Sequence, residues 1–322
     1  MAKIQLHKEL RLRGAMLKLF ALPQSRGASM FMYKLTKTLH GKHGKKLRYE
    51  QIYVPREDGT QLRVCVYSPF EKKQNAPGLL WLHGGGYAIG APEQDETAYI
   101  ERFIDWGAAV VVAPDYTKSV IAPYPAALND CYAALLWLRD NGKNYGTRPD
   151  QLFIGGTSAG GGMTAALSLY ARDKGEASIA FQMPLYPMID DRPTQSNTGN
   201  NAPLWNSKAN DLAWQIYLGD LYRTDKTPCY AAAARAEDYG GLPPTCTFVG
   251  DIEPFYDEVT AYAENLRKAG VPTHFKVFPG CFHAFDGVSP KSSVAKEAVK
   301  LLEDSFKHAV NNYFAKQPLT YE

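Results

Sequence analysis

The residues best suited to chemistry form the pentapeptide Gly-Thr-Ser-Ala-Gly at 156–160, a G-x-S-x-G with Ser158 at its centre. A serine hydroxyl is a weak nucleophile at neutral pH, so an enzyme that uses it must lift it onto a strained turn that a base can reach. Glycines permit that turn because they lack a side chain. The pentapeptide alone is common in chance turns, but an apolar strand-like run precedes it and an alanine- and leucine-rich helical run follows it. This context predicts that Ser158 is a catalytic nucleophile.

A second signal is the sequence His-Gly-Gly-Gly-Tyr at 83–87, which also follows an apolar strand-like run. Attack on an ester carbonyl produces a tetrahedral oxyanion, and each preorganised N–H donor stabilises it by about 3 to 4 kcal/mol. We expect the backbone N–H groups of Gly84, Gly85 and Ala159 to supply those donors. A phosphate cradle is disfavoured because no P-loop lysine follows. His83 is expected to be a structural hydrogen-bonding residue that shapes the loop.

The general base is predicted from position and order along the chain. Among seven histidines, His283 is the one that follows a strand-like run downstream of Ser158. A histidine between aromatic residues is more often a packed core residue. The order serine, acid, histidine that serine hydrolases of α/β type use favours the role of base here.

The acid of such a triad must lie between Ser158 and His283, and the segment 250–258 offers four carboxylates after a strand-like run. Asp257 and Glu258 fall inside the next helix, where they are expected to cap it or to pair on its surface. Asp251 and Glu253 remain, and either carboxylate can orient an imidazole. Spacing alone leaves that choice open.

The elements that position these residues are apolar runs separated by helical stretches. Continuous apolar runs indicate strands that are buried on both faces, and intervening helices indicate parallel crossovers. An alternating pattern at 52–66, with a turn at 57–59, predicts a β-hairpin before them. The fold is therefore predicted to be α/β, with a mostly parallel, doubly wound sheet. The predicted strands are 78–82, 108–113, 152–155, 179–184, 245–249 and 273–278, and the predicted helices are 126–141, 161–172, 256–269 and 292–314.

Two segments lie outside this alternation. Residues 1–48 have helical spacing, and 190–242 is far longer than a crossover requires. The insertion is either a covering of the core or a lid over the active site, and we favour the lid. The predicted organisation is an N-terminal helical cap segment (1–48) and a catalytic domain (49–322) that contains a cap insertion (190–242).

Composition excludes several classes of protein. The chain of 322 residues has a net charge of +3, 45% hydrophobic and 21% charged residues, which is typical of a globular enzyme. A basic cluster at 40–46 is interpreted as a solvated loop, and no broad positive field for nucleic acid is predicted. Five scattered cysteines indicate neither a disulfide framework nor a zinc site. No signal peptide or membrane span is predicted, so a cytoplasmic location is expected.

These motifs closely resemble the hormone-sensitive-lipase-like carboxylesterases, the α/β-hydrolases with an H-G-G-G oxyanion motif, from about residue 49 to the end. In that family the catalytic acid is the first residue of a motif that reads acidic-Pro-hydrophobic-x-acidic-Glu. Residues 253–258 match this motif. The resemblance therefore selects Glu253 as the acid and keeps Asp251 as the alternative, because the family usually has aspartate there. The G-T-S-A-G elbow resembles the subgroup that often carries glutamate.

The chain departs from the family in one loop. Where relatives usually read Tyr-Arg-Leu-Ala/Ser-Pro-Glu, residues 116–121 read Tyr-Thr-Lys-Ser-Val-Ile. The loss of the arginine and the glutamate is expected to alter a salt-bridged loop beside the oxyanion hole.

The resemblance implies hydrolysis of short-chain acyl esters, with no cofactor and no metal. The expected partner is a small ester, with neither nucleic acid nor a membrane, and a homodimer is compatible with this prediction. Four aromatic residues are predicted to line the substrate pocket: Tyr87, Trp205, Trp214 and Phe285. The alternatives are an amide or formamide hydrolase of the same fold and a catalytically silent small-molecule receptor.

Overall fold

The computed structural model describes residues 5–18, 25–56 and 58–318. In this part of the chain eight strands form one sheet, in the order β1-β2-β4-β3-β5-β6-β7-β8. β2 pairs antiparallel with β1 and β4, and all other neighbours pair parallel. The strands are β1 (Arg48–Pro55), β2 (Gln61–Ser68), β3 (Ala76–Leu82), β4 (Val110–Pro114), β5 (Thr147–Thr157), β6 (Phe181–Leu185), β7 (Thr245–Gly250) and β8 (Thr273–Phe278).

Helices connect the parallel strands and cover the sheet. Every residue of β4, β6 and β7 is buried, which explains why apolar residues predominate in these strands. None of the described helices is long and apolar enough to cross a membrane. The helices are α1 (Arg11–Leu17), α2 (Arg26–Thr36), α3 (Glu101–Trp106), α4 (Ala126–Asn141), α5 (Ala159–Lys174), α6 (Ser207–Leu218), α7 (Tyr256–Lys268), α8 (Phe285–Val288) and α9 (Ser293–Asn312).

The doubly wound α/β fold is confirmed, and the differences from prediction are local. β5 extends the predicted strand 152–155 in both directions and continues up to the residue before Ser158. The predicted helix 292–314 becomes α9, because the Ser292 hydroxyl accepts a hydrogen bond from the Ala295 N–H and acts as the N-cap. Of the predicted hairpin turn, Glu57 lies outside the described residues, as do 1–4 and 19–24 of the N-terminal segment.

The N-terminal helices and the insertion pack together on one side of the molecule. α2 contributes Met30 and Tyr33 to a small apolar cluster that also contains Ile216 of α6 and Ala88 after β3. On α1, a Cβ added to Gly14 would lie 3.3 Å from the Pro203 ring of the insertion. Helices from both predicted cap segments therefore cover the loop that carries the glycine run.

Candidate active site

Ser158 occupies a sharp turn between β5 and α5. Its backbone has φ 56° and ψ −120°, a conformation that a residue with a side chain adopts only under strain. The flanking glycines are required by close contact: a Cβ at Gly160 would lie 2.0 Å from the Leu82 carbonyl oxygen, and one at Gly156 would lie 2.5 Å from the same atom. The turn thus has the geometry of a nucleophile elbow.

Hydrogen bonds anchor the elbow to the end of the neighbouring strand. The Ser158 N–H donates to the carbonyl of Leu185 in β6 over 3.0 Å. The Ser158 carbonyl accepts from the Gly162 N–H at 2.8 Å and from the Met188 N–H at 3.1 Å. These bonds fix the backbone while the hydroxyl remains free to react.

The side chains of Ser158, His283 and Glu253 form a continuous hydrogen-bonded chain. His283 Nε2 lies 2.8 Å from Ser158 Oγ, and His283 Nδ1 contacts Glu253 Oε2. The other oxygen of Glu253 accepts a hydrogen bond from the Gly250 N–H at 2.8 Å, and this side chain is completely buried. A carboxylate held in this way orients the imidazole so that Nε2 can accept the serine proton.

Asp251, the alternative acid, has a different partner. Its carboxylate accepts a hydrogen bond from the Gly280 N–H at 2.6 Å, in the turn that precedes His283. The residue is exposed to solvent, whereas Glu253 lies beneath the imidazole. The structure therefore brings Glu253 to His283, and Asp251 supports the turn.

The expectation that Glu258 lies on the surface of a helix is wrong. Glu258 is buried, and its Oε1 accepts hydrogen bonds from the N–H groups of Ile189 at 2.8 Å and Asp190 at 3.3 Å. Burial raises the pKa of Glu258 well above its ordinary value. Asp257 accepts a hydrogen bond from the Ser196 N–H at 2.6 Å. Both carboxylates therefore tie α7 to the start of the insertion.

Of the three predicted oxyanion donors, Ala159 follows Ser158 in the chain, and Gly84, which precedes Gly85, lies next to the serine. A Cβ at Gly84 would be 3.4 Å from Ser158 Cβ, and Gly85 has φ 131°, in the region that favours glycine. Among the described residues, none accepts a hydrogen bond from the N–H of Gly84, Gly85 or Ala159. Three backbone donors are thus available beside the nucleophile.

His83 shapes the loop that carries these donors. Its Nδ1 lies 2.7 Å from the Gly84 carbonyl, and its ring stacks on Tyr116 with centroids 4.4 Å apart. The Tyr116 hydroxyl donates to the His83 carbonyl at 2.8 Å. Burial lowers the pKa of His83 to about 3, so the ring is neutral near pH 7 and can donate from Nδ1.

Trp205 is the predicted pocket residue that the structure brings close to the reacting side chains. Its ring lies 6.1 Å from that of His283, and a Cβ at Gly86 would lie 2.6 Å from the indole Cη2. The indole N–H donates to the buried side chain of Asn210 at 3.3 Å. The indole therefore spans the space between the imidazole and the glycine loop.

The other three aromatic residues predicted for the pocket have packing positions. The Tyr87 ring stacks on Tyr217 with centroids 3.9 Å apart, and Trp214 lies 5.8 Å from Tyr87. Phe285 is fully buried and packs 5.2 Å from Phe278. These three side chains therefore pack against other aromatic residues of the core.

The loop that departs from the family sequence is held by a buried lysine. Lys118 Nζ lies 2.9 Å from an Asp115 carboxylate oxygen and donates to the Tyr116 carbonyl at 2.6 Å. Burial opposes ionisation of Asp115, but the charges of Lys118 and Arg63 hold its pKa below its ordinary value. Ile121, where relatives carry the glutamate, is exposed. In this chain Lys118 and Arg63 both pair with Asp115 beside the loop.

Sequence reasoning missed two aromatic neighbours of His283. The Tyr186 ring lies edge-on to the imidazole at 5.1 Å, and the Phe255 ring lies edge-on at 5.0 Å. The Tyr186 hydroxyl is 2.7 Å from that of Tyr99, which donates to Asp286 at 2.8 Å. Nothing in the position of Tyr186 along the sequence indicated contact with the histidine.

Comparison with known proteins gives consistent matches. A family model of the alpha/beta hydrolase fold matches residues 79–287. Carboxylesterase NlhH of Mycobacterium tuberculosis is 32% identical over 258 residues, which is 79% of this chain and 80% of that protein. The arylesterase of Saccharolobus solfataricus is 30% identical over 262 residues, with 77% and 80% covered.

Among solved structures, a bacterial heroin esterase superposes with a TM-score of 0.85 at 31% identity. The superposition covers 95% of this chain and 98% of that one. The similarity therefore includes the N-terminal helices and the insertion as well as the sheet.

Proposed function

This chain belongs to the α/β-hydrolase fold family, with the hormone-sensitive-lipase-like carboxylesterases, and on that premise we propose that it hydrolyses short-chain acyl esters through an acyl-enzyme on Ser158. It is a carboxylic ester hydrolase, as its relatives are. The observation that carries the proposed mechanism is the hydrogen-bonded chain from Ser158 Oγ through His283 to Glu253.

The first half of the reaction forms the acyl-enzyme. His283 Nε2 takes the Oγ proton as Ser158 attacks the ester carbonyl, and the buried Glu253 carboxylate stabilises the imidazolium. The N–H groups of Gly84, Gly85 and Ala159 stabilise the oxyanion. When the tetrahedral intermediate collapses, the C–O bond to the alcohol breaks and His283 returns the proton to the departing oxygen.

The second half regenerates the serine. A water molecule gives its proton to His283 and attacks the acyl carbonyl in the same way, so that the carboxylic acid leaves and Ser158 Oγ recovers its proton. The same three N–H groups stabilise the second oxyanion. The same residues of the chain therefore act in both halves, with the ester as the reactant of the first half and water as that of the second.

The preference for short acyl chains is supported by the space beside the glycine loop. A cavity of about 20 Å³ lies between Gly85, Gly86 and the apolar face of α6, and Trp205 closes one side of it. A volume of this size accommodates about one water molecule. The Trp205 ring, 6.1 Å from that of His283, thus leaves little free space beside the glycine loop, and a long acyl chain on this side would require the indole to move.

A panel of p-nitrophenyl esters from acetate to palmitate tests the proposed substrate class. We expect kcat/KM to be highest for acetate or butyrate and to fall with longer chains. Fastest turnover of palmitate would contradict the proposal. The matched amide, p-nitroacetanilide, distinguishes an esterase from an amidase, and faster turnover of the amide than of p-nitrophenyl acetate would also contradict it.

A further inference from the structure

Charge is distributed very unevenly along this chain. The first 48 residues contain 12 of the 36 lysines and arginines of the chain. Of the 33 aspartates and glutamates, only Glu9 lies in this segment. The remainder consequently has an excess of acidic residues although the whole chain has a net charge of +3. The N-terminal cap segment is thus a strongly cationic part of an otherwise acidic molecule.

The cations of this segment face solvent. All eleven lysines and arginines that the structure describes between residues 5 and 48 are exposed. Within the described residues, Lys46 is the one that pairs with a carboxylate, that of Glu101 at 2.8 Å. His40 also lies 3.2 Å from Asp115. The positive charge of α1, α2 and their flanks is therefore available to an anionic partner.

The same two helices expose large apolar side chains. Leu12 and Met16 of α1 are 75% and 53% exposed, and Phe31 and Leu35 of α2 are 67% and 51% exposed. Each pair is spaced four residues apart, so its members lie on one face of their helix. The opposite faces pack inward through Gly14 and through the Ser29 region. Each helix thus presents an outward apolar stripe among cations.

We propose that this surface, formed by α1, α2 and the basic residues beside them, binds an anionic lipid bilayer at its interface. A helix with exposed leucine, methionine or phenylalanine and with lysine and arginine around them inserts its apolar side chains at the boundary of headgroups and acyl chains. The cations attract anionic headgroups at the same time. The binding is peripheral and requires no membrane-spanning helix.

The combination of side chains favours a lipid surface over other anionic partners. Nucleic acid binding depends on phosphate contacts and on polar or stacking contacts with bases, and exposed leucine and methionine side chains contribute to neither. A symmetric dimer formed through this surface would place two cationic segments against each other, which their mutual repulsion opposes. A lipid bilayer satisfies the charge and the apolar side chains together.

The position of this surface relates it to the active site. On the inner side of α1, Gly14 lies within van der Waals reach of Phe282, the residue before His283. On the inner side of α2, Ser29 lines the same small cavity as Gly86 and Trp205. Adsorption through these helices would hold the covered side of the active site next to the lipid, where apolar esters concentrate.

Vesicle co-sedimentation of the full chain tests the proposal. We expect binding to vesicles of phosphatidylcholine with about one-third phosphatidylglycerol to exceed binding to phosphatidylcholine alone by about tenfold or more at low salt, and to weaken as salt is added. The double variant Phe31→Ser/Leu35→Ser should bind the mixed vesicles about tenfold less. Phe70→Ser is the matched control, because Phe70 is exposed on the catalytic domain. It should bind as the wild type does.

The inference does not rest on the esterase mechanism, so the two can fail separately. Thermal unfolding and hydrolysis of p-nitrophenyl acetate should be unchanged in both variants, because none of the three substituted side chains touches Ser158 or His283. Absence of binding to the mixed vesicles, or equal binding by the double variant, would overturn the proposal. So would stronger binding to a DNA duplex than to vesicles at the same salt, or a dimer that the double variant dissociates.

Discussion

At Ser158 the chain adopts a backbone conformation that costs about 1 to 3 kcal/mol for a residue with a side chain. Hydrogen bonds to Leu185 and Met188 hold it there, and the contacts of Gly156 and Gly160 with Leu82 leave no space for larger residues. The strained turn points the hydroxyl at His283. Strain at this residue therefore serves to position the oxygen.

The choice of acid can be tested with two isosteric substitutions. Glu253→Gln should lower kcat for p-nitrophenyl acetate by about 10³- to 10⁴-fold, because an amide no longer stabilises the imidazolium or fixes its tautomer. Asp251→Asn should lower kcat less than about threefold, since its side chain supports the Gly280 turn. Steady-state kinetics on both purified variants measures the difference. Near-normal turnover by Glu253→Gln would show that another group performs this role.

The sequence predicted Ser158 and His283 because each follows a strand in a recognisable motif. Spacing could not separate Glu253 from Asp251, since both lie on the loop after β7. The difference depends on how that loop folds. The Gly250 N–H donates to Glu253 beneath the imidazole, and the Gly280 N–H donates to Asp251. Tyr186 was missed for a related reason, because its contact with His283 joins two distant strands.

At the scale of elements, we propose that the insertion limits the active site through one indole. Trp205 precedes α6 and is held by the Asn210 side chain, so its ring is fixed between His283 and Gly86. Beside it, α6 packs against α2. That the insertion acts as a lid stays a prediction, and we propose that Trp205 sets which acyl groups fit.

Shortening the Trp205 side chain should broaden the acyl range. Trp205→Ala is expected to raise kcat/KM for hexanoate relative to acetate by about tenfold, since one or two methylenes of extra space are worth that much discrimination. Trp205→Phe should give a smaller change in the same ratio. Rates on the p-nitrophenyl esters of both acids measure it.

Trp214→Phe is the control for that experiment. Trp214 belongs to the same insertion but packs against Tyr87 and Tyr217, so its replacement should leave the hexanoate-to-acetate ratio unchanged. If Trp205→Ala retains activity and also leaves the hexanoate-to-acetate ratio unchanged, Trp205 does not limit the size of the acyl group.

Elements with a continuous apolar run or a complete helical period were predictable from sequence. α3 was not, because the segment before it begins with Pro92 and passes through a 3-10 turn and a π-helical turn before regular helix starts. α8 is four residues long, which is too short for any periodicity to appear. Tertiary contacts determine both elements.

At the scale of the whole molecule, one buried carboxyl group couples folding to pH. Asp95 is buried and accepts a hydrogen bond at 2.8 Å from the indole of Trp81 in β3. Burial, with a further contribution from Asp286, raises the pKa of Asp95 to about 7. An aspartate in the unfolded chain titrates near about 3.9.

The sign of the effect follows from these two values. Below about pH 4 both states are protonated and the full stability is present. Between about pH 4 and pH 7 the unfolded chain releases a proton that the folded chain retains, so the free energy of unfolding falls as pH rises. Asp95→Asn removes this dependence. Relative to the wild type, the variant should gain about 1 kcal/mol per pH unit across that interval.

Urea unfolding of the wild type and Asp95→Asn at pH 5, 6, 7 and 8 measures this difference. Asp225→Asn, at an exposed carboxylate, is the control and should show no such trend. A constant difference between Asp95→Asn and the wild type at all four values would mean that Asp95 is already ionised in the folded protein.

The charge asymmetry also belongs to this scale. The net charge of +3 suggested interspersed charges and no field, because the excess of cations before β1 and the excess of acids after it nearly cancel. The structure adds that the cations of α1 and α2 are exposed together with the apolar side chains Leu12, Met16, Phe31 and Leu35. The net charge alone therefore does not indicate the cationic surface of α1 and α2, whereas the distribution of charge along the chain does.

The central claim, acyl transfer through Ser158, is tested most directly by trapping the intermediate. Acid quenching during the first turnover of p-nitrophenyl acetate, followed by proteolysis and mass spectrometry, should place one acetyl group on the peptide that contains Ser158. Ser158→Ala should retain the fold, carry no acetyl group and release no p-nitrophenol above the uncatalysed rate. Acetylation at another residue, or hydrolysis by Ser158→Ala at the wild-type rate, would contradict the account.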